Sequence, residues 1–378
     1  MSNAGKAPVL VVLQLSGGND FMNTVVPYTN GHYYDNRKTL VVREDEALPI
    51  DDRLGLHPMA GGIKELYDQG KVAVIQGIGY PNSSRSHFRA MDIWHTCEPE
   101  TVATEGWLGK AIRDLDPAKE NVLTAVHIGR GLPRALAAPG VPVTSVSDLD
   151  NYGLLTGISD AEQRRSALEI FKRIYTPAIG SGPVMDYLAQ TGSDVLRGAE
   201  RLREAPAKYA STVEYPDNPI AKSLRDVARV HLADLGTRIL YTAQGGYDTH
   251  ANQGPSHPKL LGDLSGALKA FFDDLNQHGA ADEIVMLVFT EFGRRIKDNG
   301  SGTDHGSGGG AFIIGERVKG GLYAEYPSLE PSQWLNGEDL RPTIDFRGVY
   351  GTVLEQWLGL DAPPIVGGTY EQLQPFAE

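Results

Sequence analysis

Acidic and histidine residues recur beside the ends of the apolar runs in this sequence. Six residues share this placement: Asp20, Asp248, His250, Glu291, Asp304 and His305. Carboxylates and imidazoles, without cysteine, are ligands that suit Zn²⁺, Mn²⁺ and related divalent ions. The carboxyl ends of parallel strands meet at one edge of a sheet, so side chains that follow such strands converge there. The sequence therefore predicts a metal site formed by these six residues.

Each of these residues also has a structural interpretation when it is taken alone. Asp20 follows two glycines and is typical of a turn or a helix cap, and Glu291 is placed to cap the next helix. Asp304 and His305 lie in a glycine-rich stretch that is typical of a turn. The joint pattern favours metal binding, because folding alone gives no reason for these residue types to recur at one sheet edge.

A serine in front of a predicted helix is the candidate nucleophile. Ser86 precedes the helix-like run 88–94, where it is either a helix cap or a reactive hydroxyl favoured by the helix dipole and a metal. His87 is the alternative catalytic residue. Arg85 and Arg294 are either clamps for an anionic group or ordinary surface cations.

The apolar runs predict the elements that position these residues. Six of them predict strands, at 9–15, 71–76, 121–128, 238–242, 283–290 and 311–315. Leucines at helical spacing predict helices within 224–235 and 260–275. This alternation predicts an α/β fold with a mainly parallel central sheet and helices on both faces. We expect one domain over 1–378, with residues 132–215 forming a helical insertion or cap without a clear strand.

Composition excludes several classes of protein. The formal charge is −13, from 35 basic and 48 acidic residues, which disfavours a general nucleic-acid binder. The single cysteine excludes an internal disulfide framework and a cysteine-rich metal site. Apolar stretches stay well short of the roughly 20 residues that span a membrane. Many of the 44 glycines flank the candidate site residues, where they allow sharp turns and close approach to a ligand.

Five short motifs carry a resemblance to a known family. They are Leu13–Asp20 (LQLSGGND), Arg85–Phe88 (RSHF), Gly246–His250 (GYDTH), Thr290–Arg295 (TEFGRR) and Gly302–Gly306 (GTDHG). In content and order they resemble the domain-of-unknown-function family numbered 1501, and the resemblance extends over nearly the whole chain. That family is grouped with the alkaline phosphatase and sulfatase superfamily. The resemblance thus implies the alkaline phosphatase-like version of the predicted fold.

The resemblance also implies roles for particular residues. Asp20 matches the first-strand ligand of one metal, and Ser86 is the nearest match to the nucleophile at a helix N-terminus. Asp248 and His250 match the ligands of the other metal, and His305 matches the last histidine of that site. Family members commonly carry a twin-arginine export signal. We therefore expect a periplasmic or exported protein whose targeting peptide is absent from this chain.

The sequence departs from the superfamily at one position. An Asp-His pair is expected after the strand 283–290, but Glu291 and Phe292 stand there, and a phenylalanine cannot coordinate a metal. Either Asp304 substitutes, or that metal is weak, or only one metal binds. We therefore expect one or two divalent ions, of Zn, Mn, Mg or Ca.

Two functions follow from these expectations. The first is a metal-dependent hydrolase of phosphate or sulfate esters, with an anionic small molecule or a glycan ester as substrate. The second is a non-catalytic, metal-containing binding protein of the cell envelope with a degenerate phosphatase-like site, which the Phe292 departure suggests. Neither function involves a nucleic acid or a membrane-spanning segment.

Overall fold

A computed structural model describes residues 6–150 and 205–376, together with scattered positions between 160 and 203. The strands of these parts are β1 Val9–Ser16, β2 Val25–Val26, β3 Leu48–Pro49, β4 Gly55–Leu56, β5 Val72–Gly79, β6 Ala125–Ile128, β7 Thr144–Val146, β8 Ile239–Gly245, β9 Ile284–Phe289, β10 Gly309–Ile314, β11 Gly321–Tyr323 and β12 Ile344–Asp345.

The α-helices of the same parts are α1 Phe21–Thr24, α2 Gly31–Asn36, α3 Gly61–Asp68, α4 His87–Thr96, α5 Trp107–Leu115, α6 Ala205–Lys208, α7 Pro219–Leu232, α8 Gln253–Gln277, α9 Phe346–Thr352 and α10 Ala362–Val366. A π-helical turn over Val353–Trp357 continues α9. Short 3₁₀ helices cover Arg134–Leu136, Ala281–Glu283 and Pro331–Gln333. Within these described ranges, none of the helices is both long and apolar enough to cross a membrane.

The central sheet is mostly parallel, which confirms the predicted fold class. Its strands run in the order β11-β5-β10-β9-β1-β8-β6-β7, with β12 beside β5. Only β10 among these described strands runs antiparallel to its neighbours, β5 and β9. The strands β2, β4 and β3 form a separate small antiparallel sheet.

Both faces of the central sheet are covered by helices. Alternate residues of β1 point to opposite sides: Val11 packs with α3, α7 and α8, whereas Val12 packs with α4, α5 and α9. A strand that is buried on both faces must be apolar at successive positions. This requirement explains the nearly continuous apolar run from which the strand is predicted.

The segment predicted as a helical insertion, 132–215, differs from expectation where the structure describes it. Thr144–Val146 form β7, the last strand at one edge of the sheet, and pair in parallel with β6. The expectation that the segment has no strand is therefore wrong for these three residues, because a three-residue strand is too short to show alternation. Most of residues 151–204 lie outside the described residues, and the insertion stays a prediction.

Strand pairing brings three connecting loops to one edge of the sheet. β1 is the central strand, with β8 on one side, where Ser16 is opposite Gly245, and β9 on the other, where Gln14 is opposite Phe289. Because both pairings are parallel, the loops that follow these three strands leave the sheet side by side. All six predicted metal-site residues lie in these loops: Asp20 after β1, Asp248 and His250 after β8, and Glu291, Asp304 and His305 after β9.

Candidate metal centre

Three side chains form a compact group at this edge of the sheet. One possible ligand atom from each of His87, Asp248 and His305 lies within 4.8 Å of the others. Asp248 is central: its Oδ1 lies 3.0 Å from Nε2 of His305, and its Oδ2 lies 3.4 Å from Nε2 of His87. His87 is the first residue of α4, whereas the other two belong to the loop after β8 and the loop before β10.

His250 stands directly beside this group. Its Nε2 lies 2.8 Å from Nε2 of His305 and 3.3 Å from Oδ1 of Asp248. The spacing Asp248-x-His250 therefore puts both side chains on the same side. Three imidazole rings thus present their Nε2 atoms towards one carboxylate.

The opposite edge of each ring fixes its tautomer. Each Nδ1 meets an oxygen that can only accept: Glu291 at 2.9 Å from His87, Asp304 at 2.9 Å from His250, and the carbonyl of Arg85 at 2.7 Å from His305. Each Nδ1 must therefore carry the hydrogen, which leaves a lone pair on each Nε2 when the rings are neutral. This arrangement, in which an oxygen orients the far side of a histidine ring, is typical of metal ligands.

The convergence of lone pairs fits a bound cation. Within the described part of the chain, Nε2 of His87 is buried and makes no hydrogen bond, although it faces Asp248. A polar atom buried without a partner costs free energy, and coordination would remove that cost. The donor set of imidazole nitrogen and carboxylate oxygen suits borderline divalent ions. These residues therefore fit a divalent metal ion.

Charges around the group keep its carboxylates ionised. Burial alone would raise the pKa of Asp248, but the hydrogen bond and the positive charge of Arg294 hold it well below its usual range. Burial likewise opposes ionisation of Glu291, but the hydrogen bond with His87 and the backbone NH of Gly17 lower its pKa. The same Glu291 contact raises the pKa of His87. A metal ion at His87 would therefore compete with a proton for Nε2.

A family profile described as "Protein of unknown function (DUF1501)" matches residues 76–359 of the sequence. The chain belongs to the DUF1501 family. This result confirms the family resemblance, and the matched residues contain four of the five motifs, all but Leu13–Asp20. No curated protein matches the sequence.

Solved structures similar to this DUF1501 protein share little sequence with it. One is a protein of the alkaline phosphatase superfamily from Vibrio parahaemolyticus, with 13% identity, coverage of 99% of this chain and 71% of that chain, and a TM-score of 0.42. Another is the lipoteichoic acid synthase LtaP from Listeria monocytogenes, with 8% identity, 97% and 76% coverage, and a TM-score of 0.43. A third is described as a putative sulfatase from Bacteroides thetaiotaomicron, with 13% identity, 98% and 77% coverage, and a TM-score of 0.37.

The DUF1501 chain does not bring Asp20 into the histidine group. Both Asp20 oxygens are held by Arg37, at 2.6 and 2.9 Å, and Gln253 donates a further hydrogen bond of 2.6 Å. The side chains of Asp20 and Arg37 are 1% and 0% exposed. Although burial opposes ionisation, Arg37 keeps the pKa of Asp20 below its usual value. A guanidinium thus occupies the side of Asp20 that a metal ion would need.

Arg294 holds the site together from inside the protein. Its Nε, Nη1 and Nη2 donate to the backbone carbonyls of Gly17, Gly18, Tyr247 and Thr303, and Nη2 also donates to Asp248 at 2.8 Å. The side chain is fully buried. The structure therefore places Arg294 where it fixes the loops and orients Asp248, instead of at a surface that could clamp an anion.

Phe292, at the position where the family resemblance leads us to expect a histidine, packs against the rings of this group. Its ring centroid lies 4.9 Å from that of His87 and 4.7 Å from that of His305. A side chain on Gly18 would overlap this ring, so the glycine is needed for the close approach. Phe292 therefore closes one side of the histidine group with an apolar wall.

Ser86 lies between two residues that are tied to the group. The backbone carbonyl of its neighbour Arg85 accepts a hydrogen bond from His305. The side chain of its other neighbour, His87, is hydrogen-bonded to Glu291. Ser86 is exposed, and its hydroxyl does not cap α4, although it occupies the cap position. The Arg85 guanidinium is partly exposed and is held by Asp339 at 2.6 Å.

Sequence reasoning assigns three of these residues differently from the geometry. His87 is predicted as a catalytic alternative to Ser86, yet its Nε2 faces Asp248 with the other rings. Glu291 and Asp304 are predicted as metal ligands, yet each contacts the far side of a histidine ring. The motif RSHF contained the signal for His87, because a histidine at a helix start can point back to the sheet edge.

Proposed function

We propose that this protein is a metal-dependent hydrolase of phosphate or sulfate esters that acts outside the cytoplasm. The observation that carries the proposal is the convergence of three Nε2 lone pairs on the ionised carboxylate of Asp248. Such a group is costly to keep in a folded protein without a cation, so a role beyond folding is required. Export is proposed from the family resemblance alone.

His87, Asp248, His250 and His305 would hold the ion. Three imidazoles and one carboxylate favour Zn²⁺ or another borderline metal over Mg²⁺ or Ca²⁺, which prefer oxygen ligands. Once bound, a divalent ion supplies Lewis acidity towards the ester group and lowers the pKa of a nearby hydroxyl or water. Glu291 and Asp304 orient two of the rings and increase their basicity.

We propose a single ion in the centre. The second metal that the superfamily implies would need Asp20, whose oxygens are engaged by Arg37 and Gln253. Phe292 has no atom that can coordinate at the position of the expected histidine. The guanidinium of Arg37 thus supplies the positive charge beside Asp20 that a second ion would otherwise supply.

Ser86 is the proposed nucleophile. The backbone on both sides of it is fixed by hydrogen bonds to the site, which limits the entropy lost when the hydroxyl is aligned with a bound ester. The hydroxyl is exposed and free of a capping hydrogen bond. The peptide dipoles of α4 favour negative charge on an attacking oxygen at this end of the helix.

Turnover of ester substrates tests the proposal. Protein loaded with Zn²⁺ or Mn²⁺ should hydrolyse at least one of a panel of aryl phosphates, phosphodiesters and aryl sulfates. Asp248→Ala and His305→Ala should abolish that hydrolysis, whereas Asp35→Ala, at an exposed site on α2, should not change it. A metal-loaded protein that turns over none of these esters contradicts the proposal.

The competing function is binding without catalysis. It is favoured by Phe292, which stands in place of an expected ligand, and by the pairing of Asp20 with Arg37. In that case the protein would bind one metal tightly, show no turnover on the panel, and retain affinity for an anionic envelope glycan. Ser86→Ala separates the two functions, because it should abolish hydrolysis while leaving metal content unchanged.

A further inference from the structure

A cleft of about 330 Å³ lies directly beside the candidate metal centre. His87 and Glu291 form part of its inner wall, so the cleft is continuous with the site. Phe88 and Met91 form an apolar wall, and Arg134 also lines it. The proposed hydrolysis uses His87 and Glu291. It gives no role to Phe88, Met91 or Arg134.

Phe88 is unusual because it is almost fully exposed. The side chain is 92% exposed, although phenylalanine is normally a core residue. Met91 follows one helical turn later, which puts both side chains on the same face of α4. Burial cannot explain a phenylalanine at this position, whereas contact with a ligand in the cleft can.

Two further exposed apolar residues are close in sequence to Arg134 or to its hydrogen-bond partner. Val102 is 73% exposed and precedes Ala103, whose carbonyl accepts a hydrogen bond from Arg134. Leu132 is 49% exposed and stands two residues before Arg134. Of the exposed large apolar side chains of the described residues, Phe88 is the one that lines this cleft.

Arg134 shares one carboxylate with Arg89. Its Nη1 lies 2.6 Å from Oδ1 of Asp92, and that carboxylate also pairs with Arg89 at 2.5 Å. A second anionic group on the substrate would have to compete with this buried carboxylate. The apolar wall of Phe88 and Met91 is therefore the part of the cleft that we assign to a substrate group.

We infer that the cleft binds the alcohol part of the ester substrate, and that this part carries an apolar ring that stacks on Phe88. The inference rests on the proposed function, because it places the ester group at the metal centre and its leaving group in the cleft. Aromatic side chains stack on flat rings with a preference beyond simple area burial. The substrate class is thus a phosphate or sulfate ester of a ring-bearing alcohol.

The inference can be tested by binding, without turnover. The probes are phenylphosphonate and methylphosphonate, two non-hydrolysable anions that differ only in the ring, titrated calorimetrically into zinc-loaded protein. We expect phenylphosphonate to bind about tenfold more tightly. Phe88→Ala should remove most of this difference while leaving methylphosphonate affinity and zinc content unchanged. Met59→Ala, an exposed apolar residue outside the cleft lining, is the matched control.

The outcomes separate this inference from the proposed function. Equal affinity for the two phosphonates, or a ring preference that survives Phe88→Ala, overturns the ring subsite while leaving the anion site in place. Failure of the zinc-loaded protein to bind either phosphonate overturns both. Loss of methylphosphonate binding in Phe88→Ala would show that Phe88 maintains the anion site and does not act through contact with the ring. This result would also overturn the inference.

Discussion

The Nε2 atoms of His250 and His305 lie 2.8 Å apart, although the hydrogen-bond partners of both rings place a lone pair on each atom. Two lone pairs at this distance repel each other unless a cation or a proton lies between or beside them. Oδ1 of Asp248 lies within 3.3 Å of both atoms. These atoms therefore require a positive charge beside them, and the surrounding side chains do not fully supply it.

The carboxylate behind His250 should control metal affinity. Asp304→Asn removes the charge that orients the ring, so we expect Zn²⁺ affinity to fall by about 10- to 100-fold, the range typical of such partners. Competition with a chromophoric chelator measures the change. Asp273→Asn, at a partly exposed pair on α8, is the control. Equal affinities of the two variants would contradict the role of Asp304.

The pair of Asp20 and Arg37 should stabilise the fold without binding metal. Asp20→Asn leaves a buried guanidinium without its counter-charge, and we expect the free energy of unfolding to fall by about 3–5 kcal/mol. Denaturation in urea measures this loss, with the exposed Asp52→Asn as control. The double variant Asp20→Asn, Arg37→Met should lose less than the sum of the single changes. A single variant of unchanged stability would show that the pair is not formed.

Gly18 should be required for the wall formed by Phe292. Its φ is +77°, and an added Cβ would overlap the Phe292 ring that packs on two ligand histidines. Gly18→Ala should therefore lower the free energy of unfolding by about 1–3 kcal/mol and weaken Zn²⁺ binding. Gly31→Ala is the matched control, because nothing lies within 4 Å of its added Cβ. Equal stability of the two variants would mean that Phe292 can move aside.

Acid should destabilise the protein partly through His57. Burial lowers the pKa of His57 from 6.5 to about 4, against the opposing charges of Asp20 and Glu46. Between these two pH values the unfolded chain takes up a proton that the folded chain excludes. The free energy of unfolding therefore falls as pH decreases from 6.5 to 4, by at most about 3 kcal/mol from this group.

His57→Gln should flatten this part of the pH dependence. Urea denaturation at pH 7 and at pH 5 measures the difference in unfolding free energy for each protein. The more exposed His32→Gln is the control and should keep the wild-type difference. If His57→Gln also keeps the full wild-type difference, His57 is not the group responsible.

Sequence patterns predict the sheet well because its strands are buried on both faces. The apolar run from 9 to 15 and the run from 283 to 290 predict β1 and β9 closely, since alternation is not required of a central strand. Helix α8 begins at Gln253, earlier than the leucine pattern indicates. Its first turns contain Pro258, which sequence reasoning treats as a helix breaker.

The site is predicted less completely, because hydrogen-bond partners are distant in sequence. Asp248, His250 and His305 are found from their position at strand ends, and the structure brings them together. The pairing of Asp20 with Arg37 is not predictable, because nothing marks Arg37 among the 35 basic residues. The sequence likewise does not show whether Glu291 binds a metal or a histidine, because this depends on where the start of α4 places His87.

The metal content of the purified protein tests the central claim most directly. After loading with Zn²⁺ and removal of excess ion, elemental analysis should find one ion per chain in the wild type and in Asp20→Asn. His305→Ala should retain none, because it removes a nitrogen at the centre of the group. No bound ion in the wild type would contradict the metal centre. A finding of two ions per wild-type chain, one of which is lost in Asp20→Asn, would contradict the proposal that Arg37 takes the place of a second metal ion.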